Sequence, residues 1–340
     1  MNDQVKSLQV MPPRLFPTLL KGFNTVANRV TLLLIPVLVD LFLWLGPKLR
    51  VNDLLSSYLQ NFSTTMLRYT PEELLESMRA ATTTYTGFLE QFNLFSLVRT
   101  IPIGIPSLLA RMSSLESPLG RSILMEVPSF GIAAVIMIGL LLIGFFLGAV
   151  YFNSLARYSL DEPEKLNWKK LIAQVWQTIL FFLILVVLLI LIAIPISILL
   201  SLVSLFSAAL AQFLIFGLFF ILIWLVLPLV FSPHGIFAID QKAFPSMLIS
   251  MRMIRFFLPG TSLFVLTSVL ISEGLNMLWT IPEPGSWLLA LGIGGHAFTV
   301  TGLLCASFFY YREGLKWMQY NIQRLQELKQ QQETGGSSVE

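Results

Sequence analysis

The feature that most constrains this chain is an almost uninterrupted apolar stretch from Ile179 to Phe231. About 18 consecutive apolar residues already suggest a membrane span, so this stretch is long enough for two. Inside a bilayer every backbone N–H and C=O must be paired within the protein, which predicts helices here. We place the turn between the two helices at Ser201, Ser204 and Ser207, where small polar residues interrupt the apolar run.

Further apolar stretches of similar length complete the pattern. The predicted spans are 27–46, 130–152, 178–200, 208–231, 260–279 and 286–309. The chain has 340 residues, of which 55% are hydrophobic and 12% charged, whereas a soluble domain carries about 25% charged residues. This composition excludes a disordered chain and a nucleic-acid-binding protein. We therefore predict an all-α, polytopic membrane protein whose six transmembrane helices form three hairpins.

The distribution of basic residues predicts the orientation of the spans. Most of the 22 Lys and Arg residues lie in 1–26, 153–177, 232–259 and 310–340, or close beside them, while the connections 201–207 and 280–285 contain none. Because positively charged segments stay on the cytoplasmic side, we predict that both termini are cytoplasmic. The segment 1–26 is then a cytoplasmic interfacial segment, 153–177 and 232–259 are cytoplasmic connections, and 310–340 is a cytoplasmic tail.

The long first connection, 47–129, is predicted to be extracytoplasmic. Apolar residues from Val51 to Phe62 recur at helical spacing, and a second helix is predicted to begin at Thr70 with Pro71 at its first position. We expect amphipathic helices that lie on the outer membrane surface or cap the bundle. A small ligand-binding ectodomain is the alternative.

A short internal repeat precedes the hairpins. Phe16-Pro-Thr-Leu-Leu20 is similar to Phe244-Pro-Ser-Met-Leu248, and Asn167-Trp-Lys-Lys-Leu171 is a weaker counterpart. Aromatic and aliphatic residues beside cations can insert at a membrane surface and meet anionic headgroups. The repeat predicts three units, each a cytoplasmic interfacial amphipathic helix followed by a membrane hairpin, with membrane lipids as partners.

One set of residues resembles a known family. A short polar connection joins Pro228 to Ala243-Phe244. It is followed by Ser250-x-Arg252 and by Arg255, which precedes the fifth span. With the overall layout, this resembles the six-span membrane domain found beside glycerophosphodiester phosphodiesterase catalytic domains, and related uncharacterised bacterial membrane proteins. The catalytic domain itself has no counterpart in the sequence, so the resemblance implies no hydrolytic activity.

Ionisable residues within spans are costly and often functional. Asp40, Glu273 and His296 lie at similar depths, about 9–15 Å from the outer ends of their predicted spans. Asn276 shares a helical face with Glu273. We predict an intramembrane polar cluster of Asp40, Glu273, Asn276 and His296, in which a carboxylate and an imidazole could relay a proton or cation. The alternatives are that these groups hold helices together or reach interfacial water.

Glycines supply the predicted packing faces of two spans. Gly144 and Gly148 form a G-x-x-x-G pattern in the second span, and a stripe of small residues follows one side of the sixth. Small residues let helix backbones approach closely in a membrane. The predicted helix-packing residues are Gly144, Gly148, Gly292, Gly295 and Gly302.

Motifs for catalysis or cofactor binding are missing from the sequence. There is no phosphate-binding loop, nucleophile elbow or H-E-x-x-H motif, Cys305 has no other cysteine to pair with, and His234 is interpreted as a turn residue. We therefore expect no catalytic residue, cofactor or metal site. The leading prediction is a non-enzymatic protein of a prokaryotic cytoplasmic membrane, a scaffold or accessory component that organises lipid or partner proteins. The alternatives are a transporter or permease that uses Asp40, Glu273 and His296, and an intramembrane enzyme.

Overall fold

The computed structural model describes residues 11–70, 72–100, 103–110, 112, 116–160 and 167–336. Helices dominate this part of the chain, and its strands are only two or three residues long. The α-helices are α1 (Leu15–Asn28), α2 (Leu34–Leu45), α3 (Asn52–Tyr69), α4 (Glu72–Gln91), α5 (Phe130–Ser159), α6 (Trp168–Phe206), α7 (Ala208–Val226), α8 (Ser232–Ala238), α9 (Ala243–Phe256), α10 (Leu258–Trp279) and α11 (Leu289–Gly336). Short 3-10 helices cover Val30–Leu33, Leu94–Arg99 and Leu227–Leu229.

Five segments are long and apolar enough to cross a membrane. They are Phe130–Ser159, Trp168–Phe206, Ala209–Ala238, Leu258–Trp279 and Leu289–Gln331. Each contains most or all of one predicted span. Of the three serines predicted to form the turn between the third and fourth spans, Ser207 lies at the turn as the C-cap of α6, whereas α6 continues through Ser201 and Ser204. The predicted class is therefore confirmed: the chain is an all-α, polytopic membrane protein.

The segment predicted as the first span, 27–46, is not one straight helix. Leu15–Asn28 and Val30–Leu45 taken together are long and apolar enough for a span, but the chain bends by 92° between them; counting this pair as one span brings the total to six. Arg29 at the bend has a non-helical backbone, with φ of −137° and ψ of 64°. The helical part of the predicted span therefore begins at Val30.

The three predicted repeat units differ in their first helix. α1 and α9 are separate helices that end just before α2 and α10, with breaks at Arg29 and Phe257. In the second unit, α6 begins at Trp168 and continues for 39 residues, so the predicted interfacial stretch forms its first turns. The side chain of Asn167 caps this helix by accepting hydrogen bonds from the N–H groups of Lys169 and Lys170.

The predicted last span and tail also form one helix. α11 has 48 residues, which at 1.5 Å per residue is about 72 Å, more than twice the thickness of the bilayer core. Its apolar part is followed by a polar part that is exposed from Gln323 to Gln331. Residues 337–340 of the predicted tail lie outside the described residues.

The predicted helices of the first connection are present as α3 and α4, and Pro71 between them lies outside the described residues. Strands were not predicted. β1 (Lys48–Arg50) pairs in parallel with β4 (Leu124–Glu126), and β2 (Glu116–Ser117) forms a hairpin with β3 (Gly120–Arg121). Beside the first pair lies a buried cluster of Leu49, Val51, Leu94, Val127 and Leu140. The β-ladder and the apolar core thus hold the two ends of the first connection together.

The chain divides into two compact units. The first contains the residues up to Ala27, Asn153–Val269 and the residues from Gly302 onward; the second contains Asn28–Phe152 and Leu270–Thr301. In the first unit, α1 packs closely against α11 at Gly22, where a Cβ would collide with the backbone of Gly302 and Ala306. In the second, Leu43, Trp44, Leu108, Leu109, Leu289 and Ile293 form a buried apolar cluster.

Candidate functional site

Asp40, a member of the predicted polar cluster, is fully buried on α2. Its carboxylate accepts hydrogen bonds from the hydroxyl of Ser107, from the N–H of Leu108 at 2.9 Å and from the N–H of Leu109 at 3.2 Å. The Ser107 hydroxyl in turn accepts from the N–H of Ala110 at 3.1 Å. The carboxylate therefore caps a turn of the first connection, 67 to 69 residues farther along the chain.

The other three members of the predicted cluster lie on α10 and α11. His296 and Asn276 are buried, and the side-chain oxygen of Asn276 has no hydrogen-bond partner in the described part of the chain. Glu273 lies on the exposed side of α10. The hydrogen bonds of Asp40 described here run to residues 107–109. A cluster that unites the four residues stays a prediction.

The predicted packing glycines all lie where a neighbour approaches closely. A Cβ on Gly144 would lie 2.6 Å from the carbonyl oxygen of Val98, and one on Gly148 would lie 2.6 Å from that of Ile103. The neighbours of these two glycines are thus in the first connection, not in another apolar span. Gly292 and Gly295 lie against Trp279 of α10, and Gly302 lies against the ring of Phe23.

A second group of buried polar side chains surrounds α8 in the first unit; we call it the α8 cluster. Its members come from α8, α9 and α11 and the residues that join them. The Nε2 atom of His234 lies 2.6 Å from the hydroxyl of Ser307, and the hydroxyl of Ser246 donates to the carbonyl oxygen of Ser232 at 2.5 Å. Gly235 permits this approach, since a Cβ there would collide with Ser246 and lie 2.8 Å from both Gln241 Oε1 and the Tyr311 hydroxyl.

Several polar atoms of the α8 cluster are buried without a partner among the described residues. They are Ser232 Oγ, His234 Nδ1, Gln241 Oε1 and the Tyr311 hydroxyl. An unsatisfied buried polar group lowers the stability by about 1–3 kcal/mol, and such groups are rare in folded proteins. Four of them in one place are therefore not expected in a region that serves only for packing. Oxygen atoms and an imidazole nitrogen are groups that can hold water molecules, a proton or a small cation.

Aromatic rings separate the α8 cluster from its surroundings. The His234 ring lies 4.5 Å from the Phe308 ring and 5.1 Å from the Phe231 ring, measured between centroids. This cluster was not predicted, because His234 was interpreted as a turn residue, whereas it is a buried residue of α8. The available signal was the run Ser232-Pro-His-Gly235, where polar and helix-breaking residues end an apolar span.

A neighbouring polar network joins α6 to the residues after α8. The side-chain nitrogen of Gln174 donates to Asp240 at 3.0 Å, its oxygen accepts from Asn153 at 2.8 Å, and Lys170 forms an ion pair with Asp240 at 2.7 Å. In the part of the chain that the structure describes, no three His, Cys, Asp or Glu side chains are placed to hold one metal ion. The side chains named in the α8 cluster are hydroxyl, amide and imidazole groups.

Comparison of the chain with family models, curated proteins and solved structures gives no match. The resemblance to the six-span domain found beside glycerophosphodiester phosphodiesterase domains accordingly stays a prediction. Function is therefore inferred from the residues themselves.

Proposed function

We propose that this protein is a non-enzymatic scaffold or accessory component of a prokaryotic cytoplasmic membrane that organises lipid or partner proteins. The observation that carries this proposal is the hairpin of α6 and α7. Only 6% of the apolar core of α6 and 12% of that of Ala209–Ala238 is buried within the protein, compared with 17% for α5, 17% for α10 and 61% for α11. No residue from 182 to 206 is buried.

The all-round apolar surface of this hairpin supports a role in contacts within the membrane. Exposed side chains lie on every side of α7, including Phe213, Phe216, Phe219 and Ile221. A membrane helix that is apolar on all sides faces lipid or other membrane helices. Aromatic side chains, phenylalanine included, are enriched in the cores of protein interfaces.

The two separate amphipathic helices support contacts at the membrane surface. α1 exposes Phe16 and Leu20 beside Lys21, and α9 exposes Phe244 close to Lys242. Basic residues beside apolar side chains favour an anionic lipid surface. With the distribution of Lys and Arg, this supports an orientation in which both termini are cytoplasmic and 47–129 is extracytoplasmic.

Extraction of the protein in native-lipid particles tests the scaffold proposal. We expect the particles to contain one discrete protein or an enriched lipid class relative to the bulk membrane. We expect Phe213→Ala combined with Phe219→Ala to reduce this enrichment about tenfold, which corresponds to a combined loss of about 1.4 kcal/mol. Quantitative mass spectrometry of the particles measures the change.

The matched control for this experiment is Leu270→Ala, which truncates an exposed apolar side chain on α10. It is expected to leave the composition of the particles unchanged. Particles of the unmodified protein whose composition equals that of the bulk membrane would contradict the scaffold proposal.

A transporter or permease is the second candidate function, and the α8 cluster is the observation that favours it. Buried polar groups next to a broken span are typical of sites that bind a proton or ion within a membrane. The predicted site at Asp40, Glu273 and His296 belongs to the same alternative. In both cases the cargo would be a small cation or a proton.

Ion flux into proteoliposomes tests the transporter alternative. If the α8 cluster carries protons, Tyr311→Phe should lower proton flux about tenfold, since one hydrogen bond to a charged group contributes about 1.5 kcal/mol or more. Tyr310→Phe is the control, because the Tyr310 hydroxyl contacts Thr261 instead. Glu273→Gln tests the predicted site in the same assay. A flux equal to that of protein-free liposomes would count against a proton carrier.

A further inference from the structure

A cleft in the second unit contains a buried cation; we call it the Lys48 cleft. Its volume is about 160 Å³, which is smaller than the roughly 300–1,000 Å³ of pockets for drug-sized ligands. It lies beside the end of α2, the start of β1 and the end of α4. Its lining includes Lys48, Phe88, Gln91, Phe92, Ser96 and Leu109.

The Lys48 side chain has little contact with solvent and one polar partner. The residue is only 4% exposed, and its ammonium group donates a hydrogen bond to the carbonyl oxygen of Leu43 in the last turn of α2. An ammonium group has three N–H donors, so two are left over. No acidic side chain in the described part of the chain forms an ion pair with Lys48.

Three other cations of the protein are paired with carboxylates, whereas Lys48 is not paired with one among the described residues. Arg50, two residues later in the same strand, forms an ion pair with Glu126 at 2.5 Å. Lys21 and Lys170 each pair with a carboxylate at 2.7 Å. A buried cation without a counter-charge is costly, and burial accordingly lowers the pKa of Lys48 from its ordinary value. An anion in the cleft would remove this cost.

We propose that the Lys48 cleft binds the phosphate group of an amphipathic molecule. The two remaining N–H donors of Lys48 would bind the phosphate oxygens, because lysine is a common point-charge partner of phosphate. Ser96 and Gln91 add polar groups to the wall, and Phe88 and Phe92 offer an apolar surface to the rest of the molecule. Lys48 follows the last residue of α2 by three positions, which is where a lipid headgroup meets the end of a span.

Two kinds of molecule could supply the phosphate group: a phospholipid, through its headgroup, and a soluble phosphate. The size of the cleft suits a headgroup and not a whole lipid. The proposal does not depend on the α6–α7 hairpin, so its failure would leave the scaffold proposal as it stands.

Thermal unfolding in uncharged detergent micelles tests the proposal. The full-length protein is titrated with dihexanoyl phosphatidylglycerol, with zwitterionic dihexanoyl phosphatidylcholine, and with inorganic phosphate. We expect the anionic lipid to raise the Tm in a saturable manner and the zwitterionic lipid to raise it much less. We expect Lys48→Met to weaken the apparent affinity for the anionic lipid at least about tenfold, the effect of losing a charge-assisted hydrogen bond.

Two further variants keep the result interpretable. Lys329→Met makes the same substitution on the exposed polar part of α11 and should bind as the unmodified protein does. Ser96→Asp places a carboxylate in the wall of the cleft; it should raise the Tm without ligand and abolish the response to anions, so it remains informative if Lys48→Met fails to fold.

Each pattern of responses has one meaning. A Lys48-dependent response to phosphatidylglycerol but not to inorganic phosphate assigns the cleft to lipid, and a Lys48-dependent response to both, or to phosphate alone, assigns it to phosphate groups in general. Responses to both lipids that do not depend on Lys48, or unchanged binding in Lys48→Met or in Ser96→Asp, would overturn the proposal.

Discussion

Replacing Asp40 with alanine is expected to lower the free energy of unfolding by about 3–5 kcal/mol. The carboxylate is fully buried, and it accepts hydrogen bonds from Ser107, Leu108 and Leu109. The substitution would leave three donors without a partner in a part of the protein that water does not reach. Reversible unfolding of the purified protein in mixed micelles measures the difference.

Graded variants separate the hydrogen bonds of Asp40 from its volume. Asp40→Asn keeps an acceptor of the same size and should cost less, about 1–2 kcal/mol. Ser107→Ala removes one of the three donors and should cost about 1 kcal/mol. If Asp40→Ala changed the stability by less than 0.5 kcal/mol, within the range of ordinary surface substitutions, the carboxylate would not hold the turn at 107–110.

This prediction also distinguishes two explanations of a buried carboxylate in a membrane helix. As a relay group, Asp40 would affect flux more than stability. As the cap of a turn, Asp40 would affect stability more than flux, and its removal would increase proteolysis of the first connection. Its three hydrogen bonds favour the second explanation, in which the cost of burying the carboxylate is offset by the donors it satisfies.

The apolar helices were predictable because one physical requirement determines them. A long apolar run in a membrane has no partner for its backbone other than itself, so the helical segments and the turn at Ser207 follow from the sequence. The positions where helices begin and end depend on weaker local preferences. Arg29 interrupts the first predicted span, whereas no residue interrupts α6 between its cap at Asn167 and its end.

Contacts between residues far apart in the chain were not predictable from spacing. Asp40 and Ser107 are 67 residues apart, and nothing in either segment indicates the other. The parallel pairing of β1 and β4 joins residues 76 apart through strands of only three residues, too short for a periodic pattern. The α8 cluster and the Lys48 cleft likewise combine residues from several elements, each of which has an unremarkable neighbourhood in the sequence.

Two glycines in one helix give the sharpest test of close packing. Gly292 and Gly294 both lie near the start of α11, two residues apart. A Cβ on Gly292 would collide with the carbonyl oxygen of Trp279, whereas a Cβ on Gly294 would meet no atom within 4 Å. The same substitution at these positions therefore compares a closely packed site with an open one in nearly identical helical surroundings.

Gly292→Leu is expected to destabilise the protein by about 1–3 kcal/mol, because the added side chain must displace a backbone carbonyl that cannot rotate away. Gly294→Leu is expected to be neutral or to stabilise by about 0.5–1 kcal/mol, since glycine is unfavourable inside a helix. Unfolding in mixed micelles should therefore separate the two variants by about 1–4 kcal/mol. Equal stabilities would mean that α11 and the end of α10 do not approach as closely as the Gly292 contact requires, because an open surface at both positions would treat the two leucines alike.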